Sequence, residues 1–128
     1  MKMQESGEMY LETILVLSKK LNVVRSIDIA EEMGYSKPSV SRAVGKLKEG
    51  KYIVVDEDGF IALTGTGREI AERIYERHTV LSDLLIRIGV SPETAVADAC
   101  RVEHDISRET FDRLKEHFAE RIADMEKA

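Results

Sequence analysis

A chain of 128 residues has room for one modest core, or two small lobes, and little for a separate catalytic domain. With 43% hydrophobic and 34% charged residues it is expected to fold as a soluble, helix-rich protein, and no apolar run is long enough to cross a bilayer. The opening Met1-Lys2-Met3-Gln4-Glu5 leads into no signal core, and a lone Cys100 excludes an internal disulfide, so a reducing cytoplasm is the expected compartment.

The formal net charge of -5 is unevenly divided. From Ser36 to Lys51, five bases (Lys37, Arg42, Lys46, Lys48, Lys51) stand against Glu49 alone, a local +4. From Glu69 to Ala128, nine bases stand against fourteen acids, a local -5. A basic patch can hold phosphates while the remainder stays acidic, because salt screens charges beyond about 10 Å.

In chain order, Ser6 is expected to cap a first helix whose Tyr10, Ile14, Leu17 and Leu21 recur at helical spacing. Ser26 is expected to cap a second, short helix with Asp28 in its first turn, Ile29, Ala30 and Met33 facing inward, and Gly34 as a left-handed stop. Ser36 then caps a third, with Pro38 tolerated in the first turn and Val40, Ala43 or Val44, and Leu47 as its inner stripe; Gly50 ends it. Tyr52 to Val55 and Phe60 to Leu63, joined by Asp56-Glu57-Asp58-Gly59, read as a β-hairpin.

After Thr64-Gly65-Thr66-Gly67, a long helix should run towards Ile88 with Ile70, Ile74, Leu81, Leu85 and Ile88 on one stripe, ended by Gly89. Ser91-Pro92-Glu93 starts a fifth helix expected to reach about His104. Ser107 caps a sixth, whose Phe111, Leu114, Phe118, Ile122 and Met125 would bury against the long helix or a partner subunit. The fold class expected is mainly α with a small β-hairpin: a winged helix-turn-helix over residues 1–66, then a helical lobe over 67–128.

Two short helices around the tight Gly34-Tyr35-Ser36 turn, followed by a hairpin, are the ingredients of that DNA-binding unit. With Val40, Ala43 and Leu47 inward, Ser39, Arg42 and Lys46 turn outward. Ser36, Lys37, Pro38, Ser39 and Arg42 are candidates for approaching base edges in the major groove; Ser41, Lys46, Arg25 and Lys51 are candidates for phosphate contacts. The acidic Asp56-Glu57-Asp58 tip argues against deep minor-groove insertion by the wing.

Cys100, Glu103 and His104 lie three and four residues apart on an expected helix, so their side chains could meet one ion. Thiolate, carboxylate and imidazole together make a transition-metal donor set. The competing reading is a buried cysteine beside an exposed acid and a histidine. His78 occupies a core-like position between Ile74 and Leu81, and Met9 and Glu12 in the first helix could add a thioether and a carboxylate. For these the ordinary alternatives are a satisfied core histidine, a core methionine and a surface acid.

Taken in order, Glu8-Met9-Tyr10-Leu11, Ile29-Ala30-Glu31, Ser36 to Arg42, Leu63-Thr64-Gly65-Thr66-Gly67, Arg77-His78 and above all Ala99-Cys100-Arg101-Val102-Glu103-His104 resemble the diphtheria-toxin-repressor family of metal-dependent regulators. The resemblance spans essentially the whole chain. It implies a dimer, formed through the C-terminal helices, that binds Fe(II) or Mn(II) and represses metal-homeostasis genes at palindromic operators. Met9, Cys100, Glu103 and His104 match the iron-type primary site; Glu12 and His78 match positions of the binuclear site in manganese-type members. Because the manganese type has carboxylates where Met9 and Cys100 stand, sulfur at both favours Fe(II), with Mn(II) second and Zn(II), Co(II) or Ni(II) able to substitute in vitro. Ser82 and Val96 replace a carboxylate and an imidazole of the iron type's ancillary site. The chain reaches Ala128 without the SH3-like third domain of longer members, so a full second site of that type is not expected.

The mechanism this suggests is that an ion shared by the first helix and the acidic lobe sets the spacing of two recognition helices. The expected partners are an operator duplex and a second copy of the chain, with no membrane and no organic substrate. The alternatives are a winged-helix regulator answering to an organic ligand or to oxidation of Cys100, a small metal- or thiol-dependent enzyme with Cys100 as nucleophile and His104 as base, and a structural zinc protein.

Overall fold

The computed structural model describes the backbone of residues 5–127 and the side chains of residues 6–120. The opening Met1 to Gln4 and the expected core side chains of Ile122 and Met125 lie outside the described residues. Helices α1 (Glu5–Lys20), α2 (Ser26–Met33) and α3 (Lys37–Glu49) precede strands β1 (Ile53–Val55) and β2 (Ile61–Leu63); helices α4 (Gly65–Arg87), α5 (Pro92–Val102) and α6 (Arg108–Lys127) follow. Among the described residues no helix is long and apolar enough to cross a membrane. The chain divides into two compact units between Ile74 and Tyr75, inside α4, whereas the division expected from sequence, at 66/67, falls in the first turn of that continuous helix.

In the first unit, α1 buries Tyr10, Leu11, Ile14, Leu15 and Leu17, a broader stripe than the one expected. Ser6 lies within α1, not ahead of it, and Leu21 falls past its end, largely exposed. The N-cap of α2 is Arg25, not Ser26: its backbone is extended and its N–H donates to the Asp28 carboxylate at 2.8 Å, half of a capping box. Gly34, at φ 70°, closes α2 by donating to the Ala30 carbonyl. Ser36 caps α3, its hydroxyl accepting from the Ser39 N–H at 3.3 Å, and Val40, Val44 and Leu47 are buried.

The hairpin is antiparallel with Ile53 opposite Leu63 and Val55 opposite Ile61; Ile53 and Ile61 point into the core. Asp56 shapes the turn, its Oδ1 accepting from the N–H groups of Asp58 and Phe60, both at 2.9 Å. The N–H of Ile61 donates to the Val24 carbonyl at 2.7 Å and fastens the wing to the loop between α1 and α2. At the start of α4, Thr64 donates its hydroxyl to the Lys51 carbonyl and accepts from the Gly67 N–H. A Cβ at Gly67 would stand 2.0 Å from the Tyr52 carbonyl oxygen, so only glycine permits this approach of helix to strand.

In the second unit, Leu81, Ala99 and Phe111 form the core, with Val80, Ile106 and Leu114 packed against it. Ser91 caps α5 by accepting from the Thr94 N–H, and Ser107 caps α6 by accepting from the Thr110 N–H. Helix α5 stops at Val102, short of the expected His104, with Glu103 as its C-cap and the chain turning through Asp105. Nη1 of Arg77, on α4, donates to the carbonyls of Glu103 and Ile106, both at 3.1 Å, and so satisfies two carbonyls of the turn between α5 and α6.

Candidate metal centre and nucleic-acid interface

The turn that Arg77 holds fixes where the acidic ligand candidates stand. Glu103 is 1% exposed, and its Oε2 lies 3.0 Å from Nδ1 of His78, which α4 presents one residue after Arg77. Sγ of Cys100, on the last turns of α5, lies 3.7 Å from the same imidazole nitrogen. One ligand atom each from His78, Cys100 and Glu103 can be chosen so that all lie within 4.8 Å of one another. That is slightly more than a single ion spans with coordination lengths of about 2.0–2.3 Å, so a small side-chain adjustment would bring all three to it.

His104 is placed differently from the expectation of one shared helical face. With α5 ended at Val102, it stands in the turn, and its Nε2 lies 3.3 Å from the other oxygen of Glu103, Oε1, both side chains being 1% exposed. Oε1 has no hydrogen-bond donor in good geometry among the described residues. A buried carboxylate oxygen of this kind is costly unless a cation or donor meets it. Imidazole and thiol gathered beside that carboxylate make a donor set that fits a divalent transition metal.

Met9 and Glu12 lie three residues apart on α1, both half-buried. They belong to the first unit, and the trio of His78, Cys100 and Glu103 to the second. Arg77 was not singled out on its own by sequence reasoning, although a signal was present: it sits on the inward stripe of the long helix, between Ile74 and Leu81, where a charge is out of place unless it is satisfied. It is nearly buried, with its guanidinium 5.4 Å from the centre of the Phe111 ring.

On the first unit, Lys37, Pro38, Ser41, Arg42 and Lys46 are all exposed along α3, and Ser39 is half-buried between them. The hydroxyls of Ser36 and Ser39 bond to each other at 2.9 Å. The leading end of α3 is thus polar, and cationic from Lys37 and Arg42. Arg25 lays its guanidinium 4.7 Å from the centre of the Phe60 ring, beside the turn of the wing, while remaining exposed. Lys51 is exposed and holds the left-handed conformation, φ 64°, between α3 and β1. A second residue that sequence reasoning passed over is Tyr35, a half-exposed aromatic in the turn between α2 and α3. Its ring contacts buried Tyr10 of α1, with centroids 6.2 Å apart and planes at 56°.

Comparison with known proteins gives concordant results for the two halves. Residues 2–59 match the sequence model of the iron dependent repressor N-terminal DNA binding domain, and residues 64–124 that of the iron dependent repressor metal binding and dimerisation domain. The chain is 36% identical over 109 residues to the HTH-type transcriptional regulator MntR of Geobacillus kaustophilus (strain HTA426), covering 85% of this chain and 77% of that one. It is 33% identical over 106 residues to the transcriptional regulator MntR of Escherichia coli O6:H1, covering 83% and 68%. Among solved structures, the manganese regulator SloR is similar at a TM-score of 0.79 and 27% identity; the match covers 88% of this chain but 53% of SloR, so the chain spans about half the length of that protein.

Proposed function

The chain belongs to the iron-dependent, or diphtheria-toxin, repressor family of metal-dependent transcriptional regulators, and from that premise we propose that it represses metal-homeostasis genes by binding palindromic operators as a homodimer when a divalent metal is held by His78, Cys100, Glu103 and His104. The observation that carries this reading is the convergence of His78 and Cys100 on the carboxylate of Glu103, which is 1% exposed. Met9 and Glu12 are proposed as further donors on the sequence resemblance alone. An ion so held supplies charge compensation and cross-linking, not chemistry on a substrate, in keeping with relatives that are transcriptional regulators.

On the DNA side, the outward face of α3 is the proposed recognition surface. Ser36, Lys37, Pro38, Ser39 and Arg42 would read base edges, while Ser41, Lys46, Arg25 and Lys51 would hold phosphates. A symmetric dimer would need its two recognition helices roughly 34 Å apart, or a multiple, to meet successive major grooves.

The sulfur of Cys100, with that of Met9, supports Fe(II) as the resident ion. A second reading, Mn(II), is favoured by the similarity to a structure described as a manganese regulator. Anaerobic operator binding against a panel of divalent ions tests the whole reading. We expect Fe(II) and Mn(II) to strengthen binding to a palindromic duplex and chelation to reverse it; equally tight binding by ion-stripped protein would overturn it.

A further inference from the structure

Helix α1 carries Met9 and Glu12, and α3 carries the recognition face, yet those side chains are remote from each other in sequence. A direct link between the two helices runs through aromatic rings. Tyr10 follows Met9 immediately and is 6% exposed. Its ring meets that of Tyr35 in a tilted pair, 6.2 Å between centroids. Tilted pairs have a preferred geometry, unlike sliding aliphatic contacts, so a displacement of one ring is felt by the other.

Tyr35 is well placed to pass such a displacement on. It stands between Gly34, held left-handed at φ 70°, and Ser36, the N-cap of α3, and its own N–H donates to the Ala30 carbonyl at 3.2 Å. The backbone on both sides of Tyr35 is therefore fixed, and its side chain is the adjustable contact of the turn. Burial, and to a lesser extent the neighbouring Tyr35, holds the phenol of Tyr10 above its ordinary value of 10.0, so the ring that Tyr35 leans on stays neutral through the physiological range. Tyr35 itself is 47% exposed at the leading end of the cationic face, which means that its truncation opens no core cavity.

From this geometry we infer that Tyr35 is a positioning residue coupling α1 to the recognition helix, so that it sets how strongly metal loading changes DNA affinity. The inference rests on the reading of α1 as a metal-bearing element of a metal-dependent repressor.

The test uses the full chain and a duplex selected by the wild-type protein from a random-sequence pool in the presence of Mn(II). Dissociation constants with Mn(II) and with chelator give a response ratio for wild type, Tyr35→Ala, Tyr35→Gln and Tyr35→Phe. In the alanine and glutamine variants we expect the ratio to fall roughly tenfold, within the range by which single contacts modulate coupling between sites. Tyr35→Phe should retain the ratio, and Mn(II) affinity without DNA should be unchanged in all three. A wild-type ratio in Tyr35→Ala and Tyr35→Gln would overturn the inference. So would equal weakening with and without metal, the mark of a plain DNA contact. If wild type itself binds equally with and without every ion tried, the repressor reading fails and this inference with it, an outcome visible before any variant is made.

Discussion

Nδ1 of His78 and Oε2 of Glu103 stand 3.0 Å apart, although α4 and the end of α5 deliver them from opposite ends of a 25-residue separation. The same carboxylate has its other oxygen 3.3 Å from Nε2 of His104. Glu103 is thus the common neighbour of both imidazoles, and removing its charge should disable the centre more completely than any other single change. We expect Glu103→Gln to lower Mn(II) and Co(II) affinity by at least about a hundredfold, since loss of residues that merely orient metal ligands already costs about 10–100-fold. Titration calorimetry of the stripped variant measures it. Affinity within a few-fold of wild type would show that the carboxylate is structural only.

Cys100 makes the donor set softer than one of imidazoles and carboxylates. Replacing it by aspartate keeps an anionic ligand but removes sulfur, and the preference should move from Fe(II) and Co(II) towards Mn(II). In wild type loaded with Co(II), a thiolate-to-cobalt absorption in the near ultraviolet is the expected signature; Cys100→Asp and Cys100→Ser should lack it. If the band is absent from wild type, or persists in the variants, Cys100 is not a ligand.

Much of this arrangement was legible because caps and stops are local. Ser36 with Pro38, Ser91 with Pro92, and Gly34 at φ 70° each terminate or start a helix through their own backbone or side chain. What was not legible depends on distant partners. The turn after α5 is held by Arg77, 26 residues before Glu103, while the local pattern through His104 continues helical spacing. The cap of α2 was missed because arginine is no capping residue; there Asp28 reaches back to the Arg25 N–H. The left-handed position after α3 falls on Lys51, at φ 64°, while Gly50 stays right-handed, and a Cβ there would meet the Tyr52 ring at 2.7 Å. In the centre, the spacing of Cys100 and Glu103 announced a shared face, but the meeting of His78 with both is a property of tertiary packing.

Arg77 should be among the most sensitive positions of the second unit. Nη1 supplies both the Glu103 and the Ile106 carbonyls, and the guanidinium lies against Phe111. Methionine in its place keeps the stem and drops every donor, leaving two carbonyls at the α5–α6 turn without that partner. We expect Arg77→Met to destabilise the fold by about 3 kcal/mol, since hydrogen bonds from charged groups contribute about 1.5–3 kcal/mol each. Urea unfolding of the ion-free protein reads this directly, and Arg77→Lys should recover part of the loss. A midpoint unchanged in Arg77→Met would mean that the turn holds itself.

Arg42 and Lys46 lie one helical turn apart on the exposed face of α3, yet different losses are expected from them. Arg42, nearer the leading end and 3.5 Å from the Ser39 hydroxyl, is positioned to read a base; a planar guanidinium pairs bidentately with guanine, and such a pair contributes about 1–3 kcal/mol of discrimination. Lys46, a turn further on, is positioned as a point charge for a phosphate. Binding of each alanine variant to the selected duplex and to single-base variants, over a range of salt, separates the two roles. Lys46→Ala should weaken all duplexes alike and reduce the salt slope by about one. Arg42→Ala should instead flatten the preference at one position of each half-site. If the two variants lose specificity and salt dependence in equal measure, α3 does not lie in the groove in the proposed orientation.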